Sequence, residues 1–142
     1  MTLRRARFPT LDSSTLYAIL RLRSEVFVVE QECAYLDPDG LDVEAEHWWI
    51  EDGDGAINAY LRAVPEADGH LRLGRVVTAP RSREQGLAAQ LLAATLDATN
   101  PPWRLDAQSR LVGWYERFGF EVTGPEFLED GIAHVPMKRL NR

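Results

Sequence analysis

Two stretches of this sequence hold side chains whose types and spacing suit chemistry beside a bound diphosphate. The first reads Gly74-Arg75-Val76-Val77-Thr78-Ala79-Pro80-Arg81-Ser82-Arg83-Glu84-Gln85-Gly86-Leu87-Ala88. A β-branched run enters a short loop, and the loop opens a helix. Helix N-termini present free amide hydrogens and the positive end of the dipole, which makes them natural diphosphate sites. Gly86 lets the backbone approach a phosphate, Ala88 keeps the next turn small, and Arg83 adds a fixed positive charge. No Gly-Lys-Ser/Thr follows, so this is not a Walker loop. One glycine stands where a dinucleotide fingerprint needs three. On this segment alone, an ordinary helix start competes evenly with the phosphate reading. The second stretch is Leu105-Asp106-Ala107-Gln108 with Leu111, Trp114-Tyr115 and Phe118-Gly119-Phe120. By residue type alone, Tyr115 is an interfacial aromatic among Trp114, Phe118 and Phe120.

The elements that must position these residues can be read from periodicity. Residues 3–8 suit a first strand. Asp12-Ser13-Ser14 supplies N-cap candidates for a helix, and Leu16, Ile19, Leu20, Leu22, Arg23, Val26 and Phe27 follow at helical spacing. Residues 31–45 are acidic around the turn Pro38-Asp39-Gly40 and read as a solvated ordered loop or a short second helix. An EF-hand does not fit, because the spacing is wrong and the final glutamate is missing. Strands are expected over 47–51, 56–64 and 70–78, the first two joined by Asp52-Gly53-Asp54-Gly55. A helix follows over 84–99 and stops at Pro101-Pro102. Then come a strand over 103–107, a helix over 109–118 ended by Gly119, and strands near 120–123 and 132–139. The order β-α-β-β-β-α-β-α-β-β specifies a mixed α/β fold in one domain, 1–142.

Placed between a strand and a helix, Arg83-x-x-Gly86-x-Ala88 resembles the coenzyme A pyrophosphate loop of the GNAT superfamily of N-acyltransferases. Tyr115-Glu116-Arg117-Phe118-Gly119-Phe120 resembles the family's Tyr-x-x-x-Gly-Phe, in the order the family requires. The segment Leu20-x-Leu22-Arg23-x-x-Val26-Phe27-Val28-Val29-Glu30-Gln31, with Asp39-Gly40-x-Asp42, His47 and Glu129-Asp130-Gly131-Ile132-x-His134, is similar to the ElaA-like branch. The likeness therefore spans nearly the whole chain. It implies a GNAT-like mixed sheet with splayed central strands flanked by helices. It also implies acetyl-CoA as cosubstrate, held by Val76, Val77, Thr78, Arg83, Glu84, Gln85, Gly86, Leu87, Ala88, Gln108 and Tyr115. Gln108 stands where the family often has asparagine. The pantetheine arm would lie between the strands 70–78 and 103–107, the thioester carbonyl near the Val77 amide, and Tyr115 would protonate the departing thiolate.

Direct transfer to an amine needs a general base, and the candidates are Glu30, His47 and His134. Each has a structural alternative; Glu30, for instance, could pair with Arg23. Acidic residues of 37–46, with Glu126, Glu129 and Asp130, face the acceptor or simply solvent. Cys33 reads as a buried inert thiol. An acyl-homoserine lactone synthase-like enzyme and a non-catalytic CoA-binding domain are the competing readings. The net charge of −6 argues against nucleic acid as the main partner. A single cysteine excludes an internal disulfide and paired-cysteine zinc sites, and no metal is expected. The basic start lacks an apolar run, and no stretch suits a membrane span, so the expected location is cytoplasmic. The identity of the acceptor and the existence of a homodimer stay open.

Overall fold

The structure, a computed structural model, describes residues 1–141; Arg142, the last residue of the expected domain, lies outside the described residues. Eight strands, β1 (Thr2–Arg7), β2 (Glu46–Glu51), β3 (Ile57–Pro65), β4 (Leu71–Thr78), β5 (Trp103–Gln108), β6 (Glu121–Val122), β7 (Phe127–Glu129) and β8 (Ile132–Arg139), form one sheet. Its order is β1-β2-β3-β4-β5-β8-β6, with β7 also on β8. The helices are α1 (Ser13–Arg23), α2 (Leu87–Ala98) and α3 (Val112–Glu116).

Alternation along the central strands sends side chains to both faces, and each face is covered by a helix. Trp48, Ile50, Ala59, Leu61 and Ala63 pack under Leu87, Leu91, Leu92 and Leu96 of α2. Trp49, Tyr60 and Val77 point the other way, onto Ile19 and Leu22 of α1 and Val26 beyond it. Of the three cap candidates, Asp12 is the one used: its carboxylate accepts from the Thr15 amide at 2.7 Å.

The feature that creates a site is the pairing of β4 with β5, the only parallel pair among the described residues. It holds only at Leu71–Trp103 and Arg72–Arg104. Past those two rungs the strands separate, which is the splay expected between residues 70–78 and 103–107. A second irregularity lies in β4 itself. Tyr60 faces Val77 and Arg62 faces Gly74, so Arg75 and Val76 together oppose Leu61. This is a bulge, and Arg75 sits in it at φ 52°, a left-handed conformation rare for a residue with a Cβ.

Local structure departs from the sequence-based expectation in four places. The first helix continues past Arg23 as a wider π turn over Ser24–Glu30. The helix expected from 84 begins at Leu87, because Glu84 and Gly86 take φ of 66° and 72° and cannot be helical. The segment 109–118 divides into a 3-10 turn (Ser109–Leu111) and the short α3. The strand β7 was not expected; three residues are too few to display a period.

The acidic loop is not the solvated segment its composition suggested. Asp37 and Asp42 are 2% and 7% exposed. They belong to a closed circuit of alternating charges. The Arg23 guanidinium lies 2.8 Å from Asp37 and 2.6 Å from Asp42; Arg62 lies 3.0 Å from Asp42 and 2.6 Å from Asp39. Arg75 closes it at 3.4 Å from Asp39 and 2.9 Å from Asp37. Arg23, fully buried on α1, therefore pairs with two aspartates and not with Glu30. Burial would raise the carboxyl pKa of Asp39 and Asp42. The arginine hydrogen bonds outweigh it: Arg62 holds Asp39, and Arg23 and then Arg62 hold Asp42, below the ordinary carboxylate range.

A depressed folded-state pKa contributes stability that is present above the unfolded value and lost as pH falls toward the folded one. Denaturant midpoints are therefore expected to fall steeply below about pH 4, near the unfolded aspartate value. Asp39→Asn should flatten that slope, and equal slopes in the two proteins would contradict the assignment.

Candidate functional site

The gap between β4 and β5 opens into two joined cavities. One, of about 640 Å³, runs from the start of α2 toward α3. Its walls carry Val76, Val77, Thr78, Arg83, Glu84, Gly86, Leu87, Ala88, Gln108 and Tyr115; Gln85 of the same motif is not on them. The other, of about 470 Å³, lies toward the acidic loop and the β7–β8 hairpin and holds Asp39, Arg75, Glu129, Asp130 and His134. Phe27, Gln31, Val76, Gln108, Leu111 and Tyr115 line both and so mark the junction.

At one end of the larger cavity, α2 starts without a side-chain cap. Gly86 occupies the cap position in the left-handed region, and a Cβ built there would meet nothing within 4 Å. The amides that open the helix thus border the cavity, where an anion would satisfy them. The approach to the helix is anchored by Asn58, 1% exposed at the start of β3. The Ser82 hydroxyl donates to its side-chain oxygen at 2.8 Å, Arg81 donates to it at 3.3 Å, and the Ala79 amide donates to its backbone carbonyl at 2.8 Å. Asn58 was not singled out in the sequence, although a polar residue in the apolar run of β3 was the available signal.

Arg83 is engaged by Glu30, whose carboxylate accepts from both guanidinium nitrogens at 2.5 and 2.7 Å. This pairing lowers the Glu30 pKa and raises that of Arg83. Glu30 reaches the mouth of the larger cavity because the π turn carries it there, and it lies on the side away from His134. The Gln108 amide is held on both sides: its nitrogen donates to Gln31 at 3.4 Å, and its oxygen accepts from Arg110 at 3.0 Å.

Tyr115 is 6% exposed and packs edge-on against Trp114 and Phe120. Burial raises its pKa, so the phenol keeps its proton. Among the described residues the hydroxyl makes no side-chain hydrogen bond, and it is not sealed from the cavities that Tyr115 lines. A buried phenol at the meeting point of two cavities is free to donate to a group arriving from either.

The three candidate bases fall in three different places. His47 is removed from the site by burial: it is 0% exposed on β2, its Nδ1 lies 2.6 Å from the Tyr60 hydroxyl, and its Nε2 lies 2.9 Å from the Asp42 carbonyl. Burial lowers its pKa, and it braces the charge circuit. Glu30 is committed to Arg83. His134 lines the acidic cavity, between Gln108 of β5 and Phe127 of β7, and its ring stacks on Phe127 at 5.9 Å. Its Nδ1 is 2.7 Å from the Ile132 carbonyl. A carbonyl only accepts, so Nδ1 bears the hydrogen and neutral His134 keeps its lone pair on Nε2, 3.9 Å from Glu129.

Cys33 is buried on the wall of the same cavity, its thiol 3.4 Å from the Gln31 and Asp130 carbonyls. Glu126 accepts from the Ser109 hydroxyl at 2.8 Å outside both cavities. Among the described residues, no group of three or more His, Cys, Asp or Glu is placed to hold a metal, and no helix is long and apolar enough to cross a membrane.

Residues 27–140 match a family model described as an acetyltransferase (GNAT) domain. The chain is 46% identical to a UPF0039 protein of Mycobacterium tuberculosis, over 96% of this chain and 92% of the relative. Its fold is similar to the crystal structure of an acyl-CoA N-acyltransferase from Pseudomonas aeruginosa, at TM-score 0.92 and 39% identity, with 97% of this chain and 98% of the other covered. Escherichia coli ElaA superposes at TM-score 0.89 and 33% identity, with the same coverage. The acyl-homoserine lactone synthase BjaI, at 17% identity and TM-score 0.78 over 83% of its length, shares the fold alone.

Glu30→Gln is expected to release Arg83 and strengthen binding of inorganic pyrophosphate severalfold at low salt. Calorimetry of the two proteins side by side checks this; unchanged affinity would mean that the ion pair does not compete with the anion.

Proposed function

Because the chain belongs to the GNAT acetyltransferase family, in the branch of ElaA and the UPF0039 proteins, we propose that it transfers an acetyl group from acetyl-CoA to an amine in a direct ternary complex. The domain 1–142 would act as a whole, with the diphosphate at the start of α2 beside Arg83 and Gly86. The pantetheine arm would run along Val76, Val77 and Thr78 at the edge of β4 that borders the splay. Val77, whose amide was expected near the thioester, pairs with Tyr60 in the β3 ladder, which leaves the amide of Val76 for that place. The observation that carries this reading is Tyr115, a buried ring whose hydroxyl, unpartnered among the described residues, opens onto the junction of the two cavities.

The chemistry follows from that arrangement. The neutral amine attacks the thioester carbonyl carbon, and a C–N bond forms as the carbonyl pair moves to oxygen. His134 Nε2 takes the proton that the amine nitrogen must lose. The carbonyl re-forms as the C–S bond breaks, and Tyr115 gives its proton to the departing sulfur. The phenolate then recovers a proton, the one taken by His134 or another from solvent, and the products are an amide and free coenzyme A. Of the three candidate bases, only His134 lines the cavity assigned to the acceptor.

Tyr115→Phe is expected to lower kcat by about 100-fold or more, the usual scale for loss of a positioned acid, with coenzyme affinity nearly unchanged. Thiol release from acetyl-CoA over an amine panel, with calorimetry of coenzyme A, separates the two effects. Retained turnover where chemistry limits the rate would remove the acid role. Coenzyme binding with no thiol release over any amine would favour a non-catalytic binding domain.

His134→Gln should also lower kcat, with its deficit shrinking as pH rises and hydroxide takes over removal of the proton from the attacking nitrogen. A deficit independent of pH would remove the base role.

A further inference from the structure

The conformation of β4 where it meets the acyl group is one its sequence does not favour. Arg75 holds φ 52° with a side chain present, and a left-handed residue of this kind persists only when its surroundings over-determine it. Those surroundings are specific. The Arg75 guanidinium forms an ion pair with Asp37 at 2.9 Å and donates to the Asp37 backbone carbonyl at 2.9 Å. It also reaches Asp39 at 3.4 Å and lies over the Tyr35 ring, 5.7 Å from its centroid. Asp37 is itself fixed by buried Arg23, and Asp39 by Arg62. The bulge residues are therefore held from the loop, not from the sheet.

The consequence lies one residue on. Arg75 and Val76 share one partner, Leu61, so the ladder cannot satisfy the backbone of both. Val76 lines both cavities with Tyr115. Tyr35, Leu36 and Asp39 of the clamping loop wall the smaller cavity, where the acceptor is assigned.

We propose that Arg75 is a positioning residue: clamped by Asp37 and Asp39, it holds the β4 bulge so that the Val76 amide points at the thioester carbonyl, and it ties that aim to the loop that walls the acceptor cavity. The inference rests on the acetyl-transfer reading above. It differs from a merely stabilising ion pair because it assigns the clamp an effect on one backbone hydrogen.

The test follows the Val76 amide by NMR with coenzyme A and with acetyl-CoA, which differ by the carbonyl. In the wild-type protein the two ligands should give different Val76 shifts. In Arg75→Ala that difference should collapse, and kcat should fall about 10- to 100-fold, the scale of a small misplacement of reacting groups, while coenzyme A affinity stays within about twofold. Arg75→Gly, free to adopt φ 52° but without the clamp, should behave like Arg75→Ala. Arg75→Lys, which keeps the charge without the fork, should lie between and provides the test if the shorter side chains do not fold. Wild-type kcat in Arg75→Ala, or a Val76 difference that survives it, would overturn the proposal. If the wild-type protein binds coenzyme A but shows no acetyl-dependent Val76 shift, the amide assignment falls. If it binds neither ligand, the acetyl-transfer reading beneath it falls.

Discussion

Three arginines and three aspartates, alternating in a closed circuit that runs from fully buried Arg23 to the protein surface at Asp39, are the constraint on which the rest of this structure depends. The circuit joins α1, the loop after it, β3 and β4 through Arg23, Asp37, Asp39, Asp42, Arg62 and Arg75. Taking charges out of water is expensive, and a buried ion pair rarely stabilises a fold more than well-packed apolar side chains would. Its value here is geometric. Each guanidinium presents donors in a fixed fork, so each carboxylate has few ways to satisfy it. The acidic loop is thereby held at one depth against the sheet, and the wall of the smaller cavity has one shape. His47 and Tyr60 extend the same network, which is why a histidine on β2 lies far from the chemistry.

The second constraint is the brevity of the parallel pairing between β4 and β5. Two rungs between β4 and β5 are enough to fix the strands at one end and too few to keep them together at the other. Beyond them the edges of both strands face a gap, and an amide-bearing chain can enter it as an added strand would. Aromatic packing by Trp114 and Phe120 sets Tyr115 at the bottom of that gap, and burial keeps its proton in place. The uncapped start of α2 lies at the far end. α1 is closed by its own aspartate, so the two helices differ at their first turns, and the uncapped one borders the larger cavity.

How much of this could be read in advance depended on whether a residue's role was local or distant. The long strands and α2 followed from periodicity, which is written in adjacent residues; the splay was expected only from the family resemblance that the motifs at 83–88 and 115–120 carry. The charge circuit was not legible, since its partners are 14 to 38 positions apart. Arg23 nevertheless stood on the apolar stripe of its helix, and Arg62 and Asn58 stood in an apolar strand; each was a polar residue at a buried position, which requires a partner. The left-handed turns at Glu84 and Gly86 delayed α2 by three residues and brought its first amides to the cavity. β7 was too short to see, yet it supplies the Phe127 ring on which His134 stacks. Among three candidate bases, tertiary contacts alone separated one buried in the network, one held by Arg83 and one lining the smaller cavity.

The central claim is that one cleft places a diphosphate at the start of α2 and a thioester against Tyr115. A crystal structure with a non-hydrolysable acetyl-CoA analogue tests it most directly. The account predicts the diphosphate against the amides of 87–89, with Glu30 displaced from Arg83. It also predicts the Tyr115 oxygen within hydrogen-bonding distance of the atom that replaces the sulfur. A coenzyme bound elsewhere on the surface, or a phenol turned away from that atom, would contradict it.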